Sequence, residues 1–187
     1  MDNKNKIVSF DDELLILVDE DDKQTGWDTK SVCHDGNGKL HRAFSIFIFN
    51  DRHELLLQRR SEEKRLWPLY WSNSCCSHPR KDESYDYATH RRLEEELGLT
   101  TELIYLYKFQ YQANFKNEGS ENELCSVYIG KSNESPIVNG TEIAEWKYIS
   151  IEELDRQLQT NPQNFTPWFK MEWQKLRSEF YDKILSI

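Results

Sequence analysis

The sequence predicts a single-domain α+β fold. Apolar runs of strand length recur along the chain, each bounded by polar or turn-forming residues. Only a few stretches carry helical spacing with recognisable caps, and they do not alternate with the strands in the rhythm of a doubly wound sheet. At 187 residues, with 37% hydrophobic and 13% aromatic content, the chain has enough length and apolar mass to bury one core.

Residues 1–12 open on a polar stretch and are expected to form a flexible segment ahead of a domain spanning 13–187. Residues 13–19 (ELLILVD) read as a buried strand, closed by the polar turn at 21–24. Residues 43–49 (AFSIFIF) read as a second strand, joined through Asn50-Asp51-Arg52-His53 to a third at 54–60, so this pair is expected as a hairpin. A charged, aromatic loop with Pro68 follows. Across 84–98, Thr89, Leu93 and Leu97 share one face and Gly98 sits where a C-terminal cap belongs, which predicts a helix. Strands are expected at 105–115, 121–129 and 144–149. Ser150 and Glu153 make a capping box that opens a short helix. Thr166-Pro167 starts the last helix, since proline is tolerated in a first turn, and Phe169, Trp173, Leu176, Phe180 and Ile184 form its apolar stripe.

Charge and cysteine usage narrow the function. The formal charge is −9, from 24 basic and 33 acidic residues, so no field favours a nucleic acid partner. An anionic substrate would need a local basic cluster or a metal to offset it. Cys33, Cys75, Cys76 and Cys125 contain no C-x-x-C, which excludes a zinc ribbon and a thioredoxin motif. With no signal segment and no run long enough to cross a bilayer, the chain is expected in the cytoplasm, thiols reduced, with no membrane partner.

Two constellations carry chemistry. On the 84–98 helix, Arg92, Glu95 and Glu96 stand at i, i+3 and i+4 opposite the leucines. Such a face either holds a hard divalent cation or is a solvated row of ion pairs. The second constellation is His34, His41 and His78 with Glu121 and Glu123; the two glutamates, two apart on a strand, point to one face. Three imidazoles and two carboxylates make an N/O set suited to Mg, Mn, Fe or Zn, although each histidine taken singly reads as readily as a loop or core residue.

Glu83, Arg91, Leu93, Glu95, Glu96, Gly98 and Leu99 stand in register with the Nudix signature, which residues 77–99 resemble. Ser77 departs from its leading glycine, and Arg92 replaces the first glutamate of its Arg-Glu pair. That exchange puts a cation where Nudix hydrolases use a metal-binding carboxylate, which argues for holding a diphosphate intact. His34 and His41 followed by Arg42-Ala43-Phe44, the block from Trp71 to Pro79, Glu121-Asn122-Glu123, and Thr166-Pro167-Trp168 resemble, in order, motifs of type 1 isopentenyl-diphosphate isomerases, which are Nudix-fold enzymes. The resemblance covers nearly all of the chain after Asp12 and implies a mixed sheet flanked by helices.

It also implies roles. Cys76 would be the catalytic thiol and Glu123 the second proton-transfer group, with Tyr111 orienting the proton path and the Trp168 face lying against a carbocation. Lys30, Arg60, Lys64 and Arg92 would contact the diphosphate. His34, His41, His78, Glu121 and Glu123 would hold one Mn2+, Mg2+ or Zn2+, and Glu96 would help bind a Mg2+ that rides on the diphosphate. The implied reaction interconverts isopentenyl and dimethylallyl diphosphate by proton addition and removal in a monomer whose partner is this small-molecule substrate. The rivals are a Nudix diphosphohydrolase, which has no need of Cys76 or the histidines, and a non-catalytic metal-binding module, which leaves Trp168 and the basic cluster unexplained.

Overall fold

The computed structural model describes residues 5–187; residues 1–4 of the expected N-terminal segment lie outside the described residues. In chain order the elements are β1 (Leu14–Val18), β2 (Gln24–Thr29), α1 (Lys30–Cys33), β3 (His41–Phe49), β4 (Leu55–Arg60), β5 (Trp71–Ser72), β6 (Cys75–Ser77), α2 (Tyr85–Leu97), β7 (Leu103–Phe115), β8 (Gly119–Lys131), β9 (Ile143–Ile149), α3 (Ile151–Thr160), a 3₁₀ turn (Pro162–Asn164), α4 (Pro167–Glu179) and α5 (Tyr181–Leu185). No helix among the described residues is long and apolar enough to cross a membrane.

The strands form one mixed sheet centred on β3, whose run HRAFSIFIF is buried at nearly every position because both of its faces are covered. On one face Phe44, Ile46, Ile48 and Leu56 meet Ala88, Leu93 and Leu97 of α2. On the other, Ala43, Phe47, Phe49, Cys125 and Val127 meet Trp168, Phe169, Trp173 and Leu176 of α4, with Ile151 and Leu154 of α3 beside them. Removing one such fully buried side chain, as in Leu93→Ala, costs about 2–5 kcal/mol. α2 starts where the Ser84 hydroxyl accepts the Tyr87 amide, and ends at Gly98 with φ +64°, a left-handed cap that glycine adopts without a Cβ penalty.

The structure corrects several expectations. The hairpin of residues 43–60 is reduced to one pair, Phe49 opposite Leu55. Beyond it β3 pairs in parallel with β8, from His41 opposite Glu123 to Phe49 opposite Lys131, while β4 turns to β9. The last helix breaks at Phe180, where φ is −124°, so its stripe is shared by α4 and α5. The charged face of α2 is not a solvated row, since Arg92 and Glu96 are both buried. Ahead of β1, Val8 is buried, and its carbonyl accepts from Arg80 and Arg92.

Candidate active site

Strand register assembles the site. Parallel β3–β8 pairing sets His41 beside Glu123, and antiparallel β3–β6 pairing sets Ser45 beside Cys76. His34 ends α1, and the Ser120 amide donates to its carbonyl at 3.0 Å. That close approach requires Gly119, with φ +149°, because a Cβ there would lie 2.4 Å from the His34 oxygen.

The five sequence-predicted ligands converge: one ligand atom from each of His34, His41, His78, Glu121 and Glu123 lies within 4.8 Å of all the others, and all five residues are buried. Carbonyls of Lys30 and Lys39 hold Nδ1 of His34 and His41 at 2.6 and 2.7 Å, which makes these nitrogens the protonated ones and turns the Nε2 lone pairs inward. Glu121 Oε2 faces His34 Nε2 at 2.8 Å; burial works to lower His34, but the Glu121 charge outweighs it and raises the imidazole, while the buried His41 Nε2 has no hydrogen-bonding partner. That contact needs a positive charge between the two atoms, a proton or a metal ion in its place. The electrostatics agree. Burial drives His41 down to about 3 and His78 well below its usual value, and burial together with the Glu121 charge raises Glu123. Burial also works to raise Glu121, but the His34 charge outweighs it and holds Glu121 at about 2. A divalent cation fits this donor set.

Beside the cluster lies a cavity of about 320 Å3 whose walls include Cys76, Tyr111, Glu123 and Trp168. The Tyr111 hydroxyl donates to Glu123 Oε2 at 2.6 Å, and His78 Nε2 lies 2.8 Å from Glu123 Oε1. Trp168 is buried and meets Trp67 edge-on at 5.2 Å between centroids. Burial pushes the Cys76 thiol up to about 12, against the pull of the Arg60 guanidinium. Cys75, its neighbour, points to the opposite face of the sheet and packs with Phe44 and Leu93.

The predicted cations divide. Lys30, Arg60, Lys64 and Arg92 all line the cavity. Arg60 donates to the carbonyls of Leu66 and Trp67 and directs its third nitrogen to Cys76 Sγ at 3.8 Å, so it stands by the thiol. Lys30 bonds the Ser9 hydroxyl; burial and the neighbouring Lys64 charge lower it to about 8. Glu96, expected at a diphosphate-bound Mg2+, is not on the cavity wall. It is buried behind Arg92, which binds its Oε1 at 2.5 Å.

Two acids escaped the sequence reading. Glu142, just ahead of β9, reaches the cavity wall and pairs with Lys64 and Arg92; a lone glutamate before a strand carries no signal. Glu172 is fully buried against Cys125, its Oε1 3.6 Å from that sulfur, and burial pushes it up to about 7. Its signal was an acid three residues after Phe169, on the apolar stripe.

A family model described as a NUDIX domain matches residues 39–169. The chain is 42% identical over 174 residues to Isopentenyl-diphosphate Delta-isomerase 1 of Photorhabdus laumondii, covering 92% of this chain and 99% of that protein. It is 34% identical over 195 residues to the isopentenyl-diphosphate delta-isomerase of Gibberella zeae, covering 92% of this chain and 77% of the relative. Among solved structures it is similar to a Deinococcus radiodurans protein, with TM-score 0.73 at 21% identity, covering 87% of this chain and 98% of that one. It is also similar to the MutT protein from Methanosarcina mazei, with TM-score 0.61 at 20% identity over 75% of this chain and 95% of that one. The structural likenesses speak to the fold alone. The bacterial relative, matched over almost its whole length, speaks to more: this chain belongs to the isopentenyl-diphosphate isomerase family of Nudix-fold proteins.

Proposed function

We propose that the chain interconverts isopentenyl diphosphate and dimethylallyl diphosphate, adding a proton at one end of the alkene and removing another nearby through a tertiary carbocation. The observation that carries this reading is a thiol and a tyrosine-bound carboxylate, Cys76 and Glu123, on the walls of one cavity that also presents Lys30, Lys64 and Arg92. A diphosphate hydrolase needs no such thiol.

Glu123, with its proton path through Tyr111, gives a proton to the terminal alkene carbon, and Cys76 takes one from the carbon nearer the diphosphate; the reverse reaction exchanges the roles. Only a deprotonated thiol can act as base, and Arg60 is the cation beside the sulfur that favours that form. The tertiary cation between them must be kept from water, and Trp168 supplies an aromatic face toward it. Lys30, Lys64 and Arg92 bind the diphosphate oxygens. His34, His41, His78, Glu121 and Glu123 would hold Mn2+, Mg2+ or Zn2+, which when bound offsets the two buried carboxylates and lowers the basicity of Glu123. Glu96 would help bind a Mg2+ carried by the diphosphate, for which its carboxylate would have to leave Arg92. The proposal extends to a monomer working in the cytoplasm, in keeping with four free cysteines.

The test is incubation with isopentenyl diphosphate and Mg2+ in deuterated water, read by NMR. Dimethylallyl diphosphate carrying solvent deuterium is expected, and released phosphate as the main product would replace this reading with hydrolysis. Cys76→Ala should lower turnover about 10²–10⁴-fold and Cys75→Ala less than about tenfold, because only a positioned proton-transfer group contributes on that scale.

A further inference from the structure

Glu142 places a carboxylate, 3% exposed, on the wall of a cavity that receives a diphosphate on the reading above. A negative charge there opposes the ligand, so its presence calls for a compensating role. Its side chain pairs with Lys64 Nζ and lies 3.1 Å from an Arg92 nitrogen, the same nitrogen that Glu96 Oε1 approaches at 2.5 Å. Its backbone is engaged with the same loop: the Ser61 amide donates to the Glu142 carbonyl at 2.9 Å, and the Lys64 amide donates to the Ser61 carbonyl at 3.2 Å. The turn that carries it is itself anchored. The Asn139 amide donates to the Glu96 carbonyl at 2.9 Å, the Glu142 amide to the Asn139 carbonyl at 3.0 Å, and the Asn139 side chain to the Lys6 carbonyl at 2.7 Å. One residue thus fixes the head group and the backbone of Lys64 and ties both to Arg92 on α2. Burial works to raise the Glu142 carboxyl, but the Lys64 and Arg92 charges outweigh it and hold it at about 2, so it is an anion whenever the protein is folded near neutral pH.

We infer that Glu142 is a positioning residue for the substrate diphosphate, holding Lys64 and Arg92 in the arrangement that grips the phosphate oxygens before the ligand arrives. The inference rests on the diphosphate reading and deepens it. A lysine head group on a flexible stem must otherwise be ordered during binding, which weakens affinity, and like charges on Lys30, Lys64 and Arg92 would push one another apart. When the diphosphate enters, its oxygens take over the donors of Lys64 and Arg92, and Glu142 keeps the loop from moving with them.

The experiment compares Glu142→Gln and Glu142→Asp with wild type in the full-length, metal-loaded protein. Glu142→Gln should raise KM for isopentenyl diphosphate about tenfold or more with kcat within about threefold, because ground-state positioning is lost and the chemical groups are untouched. Glu142→Asp keeps the charge but is too short to span both partners, so KM should rise at least about threefold; it carries the test alone if Glu142→Gln does not fold. A purely structural role would lower the active fraction, and so kcat, at an unchanged KM, and that result overturns the inference. So would a lower KM, which would make Glu142 only a competitor of the diphosphate. In a Lys64→Gln background, Glu142→Gln should raise KM by less than about threefold, and an equal rise in both backgrounds would overturn action through Lys64. Calorimetric binding of inorganic diphosphate with Mg2+ separates the two readings. Wild type that binds diphosphate but never isomerises fails the reaction alone, whereas wild type that isomerises and binds diphosphate no better than Glu142→Gln fails the inference alone.

Discussion

Two buried polar clusters meet the same cavity and balance their charges in opposite ways. In the histidine cluster, the buried His41 Nε2 has no hydrogen-bonding partner, and Glu121 meets His34 through a shared proton or a cation in its place. In the arginine cluster, Arg92 reaches Glu95, Glu96 and Glu142, Lys64 also reaches Glu142, and of the Arg92 nitrogens only Nε is left over. The first balances its carboxylates only by taking up a proton or a metal ion. The second closes on itself when the chain folds and must exchange partners to take an anion. Burying ions of both signs together is tolerable; burying carboxylates against neutral imidazoles is not.

The sharpest way to break this contrast is to remove Arg92. Arg92→Met should cost about 3–5 kcal/mol of unfolding free energy, because Glu96 and Glu142 are left as buried charges with too few partners. The loss should be the same with and without a chelator in urea unfolding. A cost below about 1 kcal/mol would mean that the cluster does not carry its own charge balance.

His41→Ala probes the other cluster and should behave differently. With metal near a hundredfold its dissociation constant, the variant should lose about 2.7 kcal/mol relative to wild type, since a bound ion stabilises the folded form by mass action. With a chelator present the two proteins should unfold within about 1 kcal/mol of each other. Elemental analysis should find one divalent ion per chain in wild type and none in the variant; unchanged metal content would dismiss the five-ligand site.

Glu172 belongs to neither cluster, which makes it a measure of an uncompensated acid. Its carboxyl rises from the ordinary 4.5 to about 7 in the folded chain, first because it is buried, with Ser45 and Cys125 only partly offsetting this. Below 4.5 it is protonated in both states and stability is unaffected. As pH rises from 4.5 to 7 the unfolded chain releases this proton and the folded chain keeps it, so stability falls across that window. Glu172→Gln should therefore be more stable than wild type at pH 8 by about 1–3 kcal/mol and lose that gain at pH 4. Equal pH slopes for the two proteins would show that Glu172 is paired in solution.

Much of this site was legible because strand periodicity and motif spacing report local geometry. Glu121 and Glu123 share a face by the alternation of a strand, and Gly98 ends α2 as a left-handed cap. What escaped depends on partners distant in sequence. The hairpin expected from residues 43–60 gave way because β8 offers β3 nine parallel pairings, from His41 to Phe49, that no local pattern announces. β6 has only three residues, Cys75–Ser77, too few for any periodicity, yet it carries the thiol. The spacing of the carboxylate row on α2 suits a cation, but Glu96 faces inward to Arg92, and its backbone carbonyl accepts from the Asn139 amide of the 139–142 turn.

The parallel β3–β8 pairing also sets an order in time. His41 and Glu123, adjacent in the sheet, are separated by about 80 residues of chain, and closing a loop of that length costs roughly 4 kcal/mol of chain entropy before any contact returns it. His34 and His41 can meet early, and His78 can follow when β6 lays down on β3. The carboxylates come only with β8, after all three imidazoles of the cluster. The nitrogen donors of the cluster therefore precede its oxygen donors along the chain, and the set is complete only once β8 has paired with β3.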